Sequence, residues 1–462
     1  MPEWLSKLLP IVILLIAIAF VLARLPRIEL GYTDAYRKRR ILNWLPLGLT
    51  YAFLYMGRYN LTVAKNALGT LMTKQDFADI FATGTIVYGV SFVLNGPLTD
   101  RWGGRRTILI AALGSAACNV AMGWVLATGR TSHLVDVYSV LYAANMYFQS
   151  FGAVSIVKVN AHWFHVRERG VFGGIFGILI SLGIYFAFDW GGMIVKQWPQ
   201  NVEYVFFIPA AILVLFAALD FRWVFDLPSE TGHPDVEVGD ASSGETGPPP
   251  KLAQVAARMF SNPVIVTIAL IEFCSGYLRQ TIMQWYPIFA KQTGINAHFV
   301  PANWGMLLCV AGILGGVFAG TISDRLFQSR RGPVAVVLYA MMLAGAGAMI
   351  LALETPLLGW LVVTMSLAII GVHGMLSGTA SMDFGGKRNA GVAVGIIDGF
   401  VYLGTGLQAI VLGRVLPKDG TPEAAQASGW HWWPIVMIPA AIVGLALSMR
   451  LWHARPKHPV AR

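Results

Sequence analysis

Apolar runs of about 20 residues, the length a helix needs to cross a hydrocarbon core, recur along the whole chain between short polar breaks. They fall near 41–63, 77–98, 107–126, 134–157, 171–195 and 203–225, and again near 263–290, 301–322, 333–353, 356–380, 390–413 and 430–452. Backbone N–H and C=O groups in lipid must be satisfied within their own segment, so runs of this length predict helices. The pattern therefore predicts an all-α membrane protein of two six-helix bundles, 41–225 and 263–462, the second ending in a short cytoplasmic tail.

A thirteenth run at 8–23 precedes the twelve. Small residues at Ala17 and Ala19 give it a trace of a cleavable leader, but only Lys7 lies before it and the basic cluster at 24–40 follows it. That order favours a retained extra transmembrane helix with its N-terminus outside. The stretch 226–262 is rich in Pro, Gly, Ser and acidic residues, includes Pro248, Pro249 and Pro250, and predicts a disordered cytoplasmic linker between the bundles.

Composition strengthens the membrane assignment. Of 462 residues, 56% are hydrophobic and only 13% charged, against about 45–50% and about 25% in soluble domains. The net charge of +10 would suit a nucleic-acid partner were it gathered on one surface. It is instead spread by side: 24 of the 34 Lys and Arg fall in segments on the face that carries 24–40, eight fall on the other, and two lie inside apolar runs. This asymmetry fixes the basic face as cytoplasmic and predicts a multi-pass protein of the cell inner membrane that binds no nucleic acid. Cys118, Cys274 and Cys309 lie inside apolar runs without paired spacing, so they read as packing residues. His162 and His165 have no third ligand nearby and read as loop residues, so neither a metal nor a cofactor is expected.

Two features occur twice. The turn after the second predicted helix reads Gly96-Pro-Leu-Thr-Asp100-Arg101-Trp-Gly-Gly-Arg105-Arg106, and the turn after the eighth reads Gly320-Thr-Ile-Ser-Asp324-Arg325-Leu-Phe-Gln-Ser-Arg330-Arg331. The two arginines deep in apolar runs, Arg58 and Arg279, are separated by 221 residues, and Asp100 and Asp324 by 224. One duplicated six-helix unit accounts for both intervals, as in transporters whose site lies between parallel repeats.

The Gly-x-x-x-Asp-Arg-x-Gly-Arg-Arg loop resembles the signature of the major facilitator superfamily over residues 41–452. The resemblance implies that Asp100, Arg101 and Arg105, with Asp324, Arg325 and Arg331, form cytoplasmic contacts that hold in one state and break in the other. Both aspartates end helices, where a carboxylate opposes its own helix dipole and gains from another partner.

An arginine near the bilayer centre costs about 2.5–3.5 kcal/mol on insertion scales. Two facing guanidinium forks match the oxygens of a carboxylate or phosphate, so the pair points to an anion. Tyr51, Tyr55 and Arg58 are spaced four and three apart and share a helix face. The segments 51–60 and 272–285, with Asp226-Leu-Pro-Ser-Glu-Thr-Gly232, Arg167-Glu-Arg-Gly170 and 391–404, are similar to the organophosphate:phosphate antiporters, which exchange glycerol-3-phosphate, hexose phosphates or phosphoglycerates for inorganic phosphate. The resemblance implies phosphate binding by Arg58 and Arg279 assisted by Tyr51 and Tyr55. Gln149, Gln280, Gln284 and His373 are further polar residues within the runs and candidates for the cavity wall.

Three positions depart from that pattern. Phe92 and Ile180 stand where the family carries a second-helix lysine and a fifth-helix histidine, and Asp398 is an acid where a neutral residue is expected. Asp398, Glu272 and Asp189 are the acids that could pair with the arginines. Glu272 is seven residues from Arg279, about 10.5 Å along a helix, too far for a direct bridge. The expected activity is secondary transport of a phosphorylated organic anion in exchange for phosphate by a monomer. The alternatives are a proton-coupled carboxylate symporter using Asp398 and a transporter-like sugar-phosphate sensor. No constellation of nucleophile, base or metal ligands suggests an enzyme.

Overall fold

The computed structural model describes residues 30–165, 168–235, 260–327, 330–376 and 390–453, together with 12, 15, 16 and 18–20. The expected linker and the first apolar run fall largely outside these residues. Twelve principal helices follow one another: α1 (Asp34–Leu68), α2 (Lys74–Trp102), α3 (Gly104–Ala127), α4 (Leu134–Trp163), α5 (Arg169–Tyr185), α6 (Tyr204–Trp223), α7 (Pro263–Met283), α8 (Trp304–Phe327), α9 (Arg331–Ala352), α10 (Leu357–His373), α11 (Ala390–Val415) and α12 (Met437–Arg450). One occupies each run expected from the hydrophobic pattern, and nine helices among the described residues are long and apolar enough to cross a membrane. The chain is a multi-pass membrane protein.

Local sequence sets the ends. α1 begins where Thr33 accepts from the Tyr36 amide. It stops at Gly69, whose φ of +58° suits a residue without a Cβ. α2 opens with a reciprocal cap in which Thr73 accepts from the Asp76 amide and Asp76 from the Thr73 amide. Pro263 at the first position of α7, behind an Asn262 cap, uses the one place where a missing N–H costs nothing. Two helices are interrupted near their outer ends. α5 widens into a π-helical segment, Phe186–Trp190, before Gly191–Gln197, and α7 breaks at Gln284 before Trp285–Gln292. Such interruptions free polar groups inside a membrane and are common at functional sites.

Small residues let α11 approach α2 and α7 closely. A Cβ on Gly399 of α11 would lie 2.9 Å from the carbonyl oxygen of Gly89 on α2, and one on Gly276 of α7 would collide with the Val401 carbonyl of α11. α11 is thereby wedged between α2 and α7 at the depth of the two arginines. Gly276→Val is expected to force the helices apart at a cost of about 1–3 kcal/mol, seen as a lower midpoint of thermal unfolding in detergent.

The described links between the first six and last six helices gather at mid-membrane and at the ends that the charge asymmetry places outside. There, Asp419 accepts from Lys65 Nζ (3.0 Å) and from the Lys74 amide (2.8 Å), lies 3.4 Å from Lys74 Nζ, and also accepts from Gln292 Nε2. Asp189, in the π-helical segment of α5, accepts from the amides of Gly305 (2.8 Å) and Met306 (2.9 Å), two of the first free donors of α8. Both carboxylates therefore join the two sets of helices.

Candidate functional site

Arg58 is fully buried in α1 at the centre of a cage of neutral groups. Its Nε donates to Gln149 Oε1 (2.9 Å), one terminal nitrogen to the Tyr402 hydroxyl (2.9 Å) and the other to the Tyr88 hydroxyl (2.8 Å). The guanidinium carbon lies 4.4 Å from the Tyr88 ring centre and 4.6 Å from that of Tyr55, so π faces sit close to the cation. A further layer fixes the cage. Gln149 Nε2 donates to Ser115 (3.0 Å) and Asn145 (3.2 Å), Asn145 Nδ2 to the Gly57 carbonyl (3.0 Å), and Tyr142 to the Arg58 carbonyl (3.0 Å). Hydroxyls and an amide satisfy the donors of Arg58, yet none of them cancels its charge.

Arg279 of α7 is 8% exposed, and its Nε has no hydrogen-bond partner. Tyr55, Tyr59 and Tyr402 lie within electrostatic range of both Arg279 and Arg58. The two cations thus flank one cluster of tyrosines, with α1 on one side and α7 on the other. Tyr51, Tyr55 and Tyr59 form a ladder of edge-on rings with centroids 5.4 and 5.7 Å apart. Neither arginine makes an ion pair among the described residues.

The acids that might have neutralised them are engaged elsewhere. Glu272 accepts from or donates to His373 Nδ1 at 2.8 Å, Asp189 caps α8, and Asp220 accepts from Thr50 at 2.6 Å. Asp398, half-buried on α11, has interactions of its own.

The remaining expected residues fall into distinct places. Gln149 touches Arg58 directly. Gln280 and Gln284 form a relay across the helix sets: Thr62 donates to Gln284 Oε1, Gln284 Nε2 to Gln280 Oε1 (2.9 Å), and Gln280 Nε2 to the Tyr59 hydroxyl (2.9 Å). His373 sits with Glu272 rather than with either arginine. Of the loop motif, Asp100 pairs with Lys158 at 2.8 Å on an exposed surface. The Arg105 amide donates to Asp226 Oδ1 (2.9 Å) and its side chain to the Phe221 carbonyl (2.6 Å). Arg331 donates to Ser323 at 3.1 Å, Arg101 is exposed, and the side chains of Asp324 and Arg325 lie outside the described set.

Tyr59, Tyr88 and Tyr402 are the residues that sequence reasoning missed. Tyr59 adjoins Arg58, whereas Tyr88 and Tyr402 sit on α2 and α11 with no periodic relation to either arginine. Phe92 stacks on Tyr402 (centroids 6.0 Å apart, planes at 12°) and meets Tyr88 edge-on at 4.8 Å. Phe92 therefore places an apolar ring against the tyrosines that hold Arg58. A hollow lined mostly by apolar side chains, among them Met56, Trp190, Met193 and Ile194, with Gln197 as its polar member, includes none of these site residues.

Residues 47–409 match the family model described as Major Facilitator Superfamily. The chain belongs to this superfamily. The superfamily protein is 26% identical over 448 residues to the "Glycerol-3-phosphate transporter" of Bacillus subtilis, covering 91% of this chain and 94% of that one. It is 25% identical to "Membrane sensor protein UhpC" of Salmonella typhimurium, over 89% and 91% of the two chains. It is 24% identical to the "Probable hexose phosphate transport protein" of Chlamydia trachomatis, over 91% and 92%. The names of these relatives are consistent with the organophosphate:phosphate antiporter group that the sequence resembles. The fold matches an inward-facing bacterial homologue of the lysosomal transporter Spinster, with a TM-score of 0.68 at 14% identity over 91% and 97% of the two chains. It also matches a D-xylose-proton symporter, with a TM-score of 0.65 at 15% identity over 88% and 97%. The regular structure among the described residues is all helical, and the superfamily member is a transporter-type protein and not an enzyme.

Proposed function

We propose that this superfamily member carries a phosphorylated organic anion such as glycerol-3-phosphate, a hexose phosphate or a phosphoglycerate across the inner membrane. It does so by exchange for inorganic phosphate, as a monomer. One observation carries the reading: two membrane-buried guanidinium groups flank a shared tyrosine cluster, neither is paired with a carboxylate among the described residues, and Arg279 keeps a buried donor unsatisfied. A dianion between them supplies the charge and acceptors that the protein withholds. Tyr51 and Tyr55 shape the wall beside it, and Gln149 holds Arg58 in place.

Transport follows by rocking of the two bundles, 41–225 and 263–462, about this point. The outer links through Asp419 and Asp189 describe a state closed to the outside. Asp100, Arg101, Arg105, Asp324, Arg325 and Arg331 close the cytoplasmic side in the opposite state.

Counterflow in proteoliposomes tests the assignment. Phosphate loaded inside is expected to drive uptake of labelled glycerol-3-phosphate or glucose-6-phosphate. Uptake driven only by a pH gradient and abolished by Asp398→Asn would replace exchange with proton symport. Binding without flux would place the protein with the sensor that its relatives include.

A further inference from the structure

Seven residues before Arg279 on α7, Glu272 is fully buried. Its Oε2 meets His373 Nδ1 of α10 at 2.8 Å, and its Oε1 has no hydrogen-bond partner. An intramembrane carboxylate with one oxygen unsatisfied is costly and defaults to a functional role. The exchange reading leaves this pair unused. Seven residues are nearly two whole helical turns, so Glu272 and Arg279 leave α7 on the same side, and each lies in the electrostatic field of the other. The imidazole is 23% exposed while the carboxylate is sealed, so the histidine is the side of the pair open to exchange.

We propose that Glu272 and His373 form a proton-binding site linked to cargo binding at Arg279. The neutral imidazole, donating Nδ1–H to Oε2, leaves the pair with one negative charge. One proton taken from solvent, held on Nε2 or on Oε1, makes it neutral. With no anion bound, the Arg279 cation favours the negative form. An anion against Arg279 cancels that field, and the pair takes up a proton to compensate. By the reciprocity of linked equilibria, a protonated pair strengthens anion binding by the same factor that the anion strengthens proton binding. The loaded carrier therefore crosses the membrane with a proton that the empty carrier lacks.

Other titratable groups around the pair are few. On α7 itself, Cys274 and Arg279 lie in the field of Glu272, and from α9 so does Tyr339, whose hydroxyl donates to the Ile271 carbonyl. α11, packed along α7, carries Asp398 and Tyr402; α8, packed along α10, carries Cys309 and, with side chains outside the described set, Asp324 and Arg325; α12 carries no ionisable side chain before its final residue, Arg450. Of the acids on these helices whose side chains are described, Asp398 is the one to be separated from Glu272.

This inference rests on Arg279 being the cargo cation. The test is titration of the full chain, purified in detergent, with inorganic phosphate near pH 7. Calorimetry in two buffers of different ionisation enthalpy counts the protons taken up per phosphate bound. Phosphate's own protonation contributes equally to every protein, so differences between variants isolate the site. The wild type is expected to take up about one proton more than Glu272→Gln, and Asp398→Asn is expected to match the wild type. If Glu272→Gln does not fold, Glu272→Met, which removes the carboxyl without adding a polar group, provides the same comparison. Equal counts in the wild type and the pair variants overturn the proton site and leave the anion clamp standing. Wild-type protein that binds no phosphate overturns the clamp and this inference together.

Discussion

Arg279→Met is expected to abolish exchange while making the protein more stable. A methionine of similar length removes the fork that receives the anion. Loss of two charge-assisted hydrogen bonds to the cargo amounts to about 3–6 kcal/mol, or roughly 10²- to 10⁴-fold in transport efficiency. In the protein without cargo, the same change deletes a buried cation whose Nε is unbonded. The insertion cost relieved is about 2.5–3.5 kcal/mol. Arg58→Met should abolish exchange too, but it breaks three hydrogen bonds and strands the Tyr88 and Tyr402 hydroxyls, so its unfolding midpoint should fall. The checks are counterflow and thermal unfolding of both variants side by side. Equal destabilisation in the two would make Arg279 a structural group and remove the ground for the clamp.

Asp419→Asn is expected to release the outer closure. Lys65 and Lys74 are both almost wholly buried, and Asp419 is the carboxylate that joins them. An amide in its place leaves two ammonium groups facing each other with no countercharge, and the nearest relief is water from an opened outer vestibule. The closure has a pH signature with a definite sign. Burial alone would raise the Asp419 carboxyl, but the Lys65 and Lys74 ammonium groups and the Gln292 hydrogen bond outweigh it and hold the group below the usual carboxylate range. A depressed acid contributes stability that is present above its unfolded value of about 3.9 and is lost as pH falls through the folded value. The wild type should therefore stay closed outside at neutral pH and loosen only in strong acid, whereas Asp419→Asn should be loose at neutral pH. A cysteine introduced by Phe77→Cys, at a buried position edge-on to Trp285, reads this as labelling by a membrane-impermeant maleimide. Slow labelling in both proteins at pH 7 would show that the outer seal lies elsewhere.

The hydrophobic pattern carried the architecture, because lipid imposes one rule on every segment: satisfy the backbone within the helix and keep the side chains apolar. Runs of the right length were therefore enough to place a helix at each of the stretches that α1 to α12 occupy. Arg58 and Arg279 stood out for the same reason, since a cation is expensive in that setting wherever it sits. Even so, α1 is the least apolar of the helices, and the polar residues of α1 and α7 are what the site is made of.

What surrounds each arginine was not legible in the chain. Tyr88 is thirty residues from Arg58 and Tyr402 more than three hundred, and only the packing of α11 between α2 and α7, permitted by Gly89, Gly276 and Gly399, brings their hydroxyls to the guanidinium. The sequence offered Asp398, Glu272 and Asp189 as rivals for the arginines, with Asp398 ahead because Glu272 lies too far along α7 to bridge Arg279; charge and helix position were all it could weigh. Tertiary structure separated them, giving Glu272 to His373 and Asp189 to the first amides of α8. Composition and length determine which segments enter the membrane, because that choice is made residue by residue against lipid. Which buried charge meets which partner depends on distances between helices far apart in the chain, and those exist only once the helices have packed.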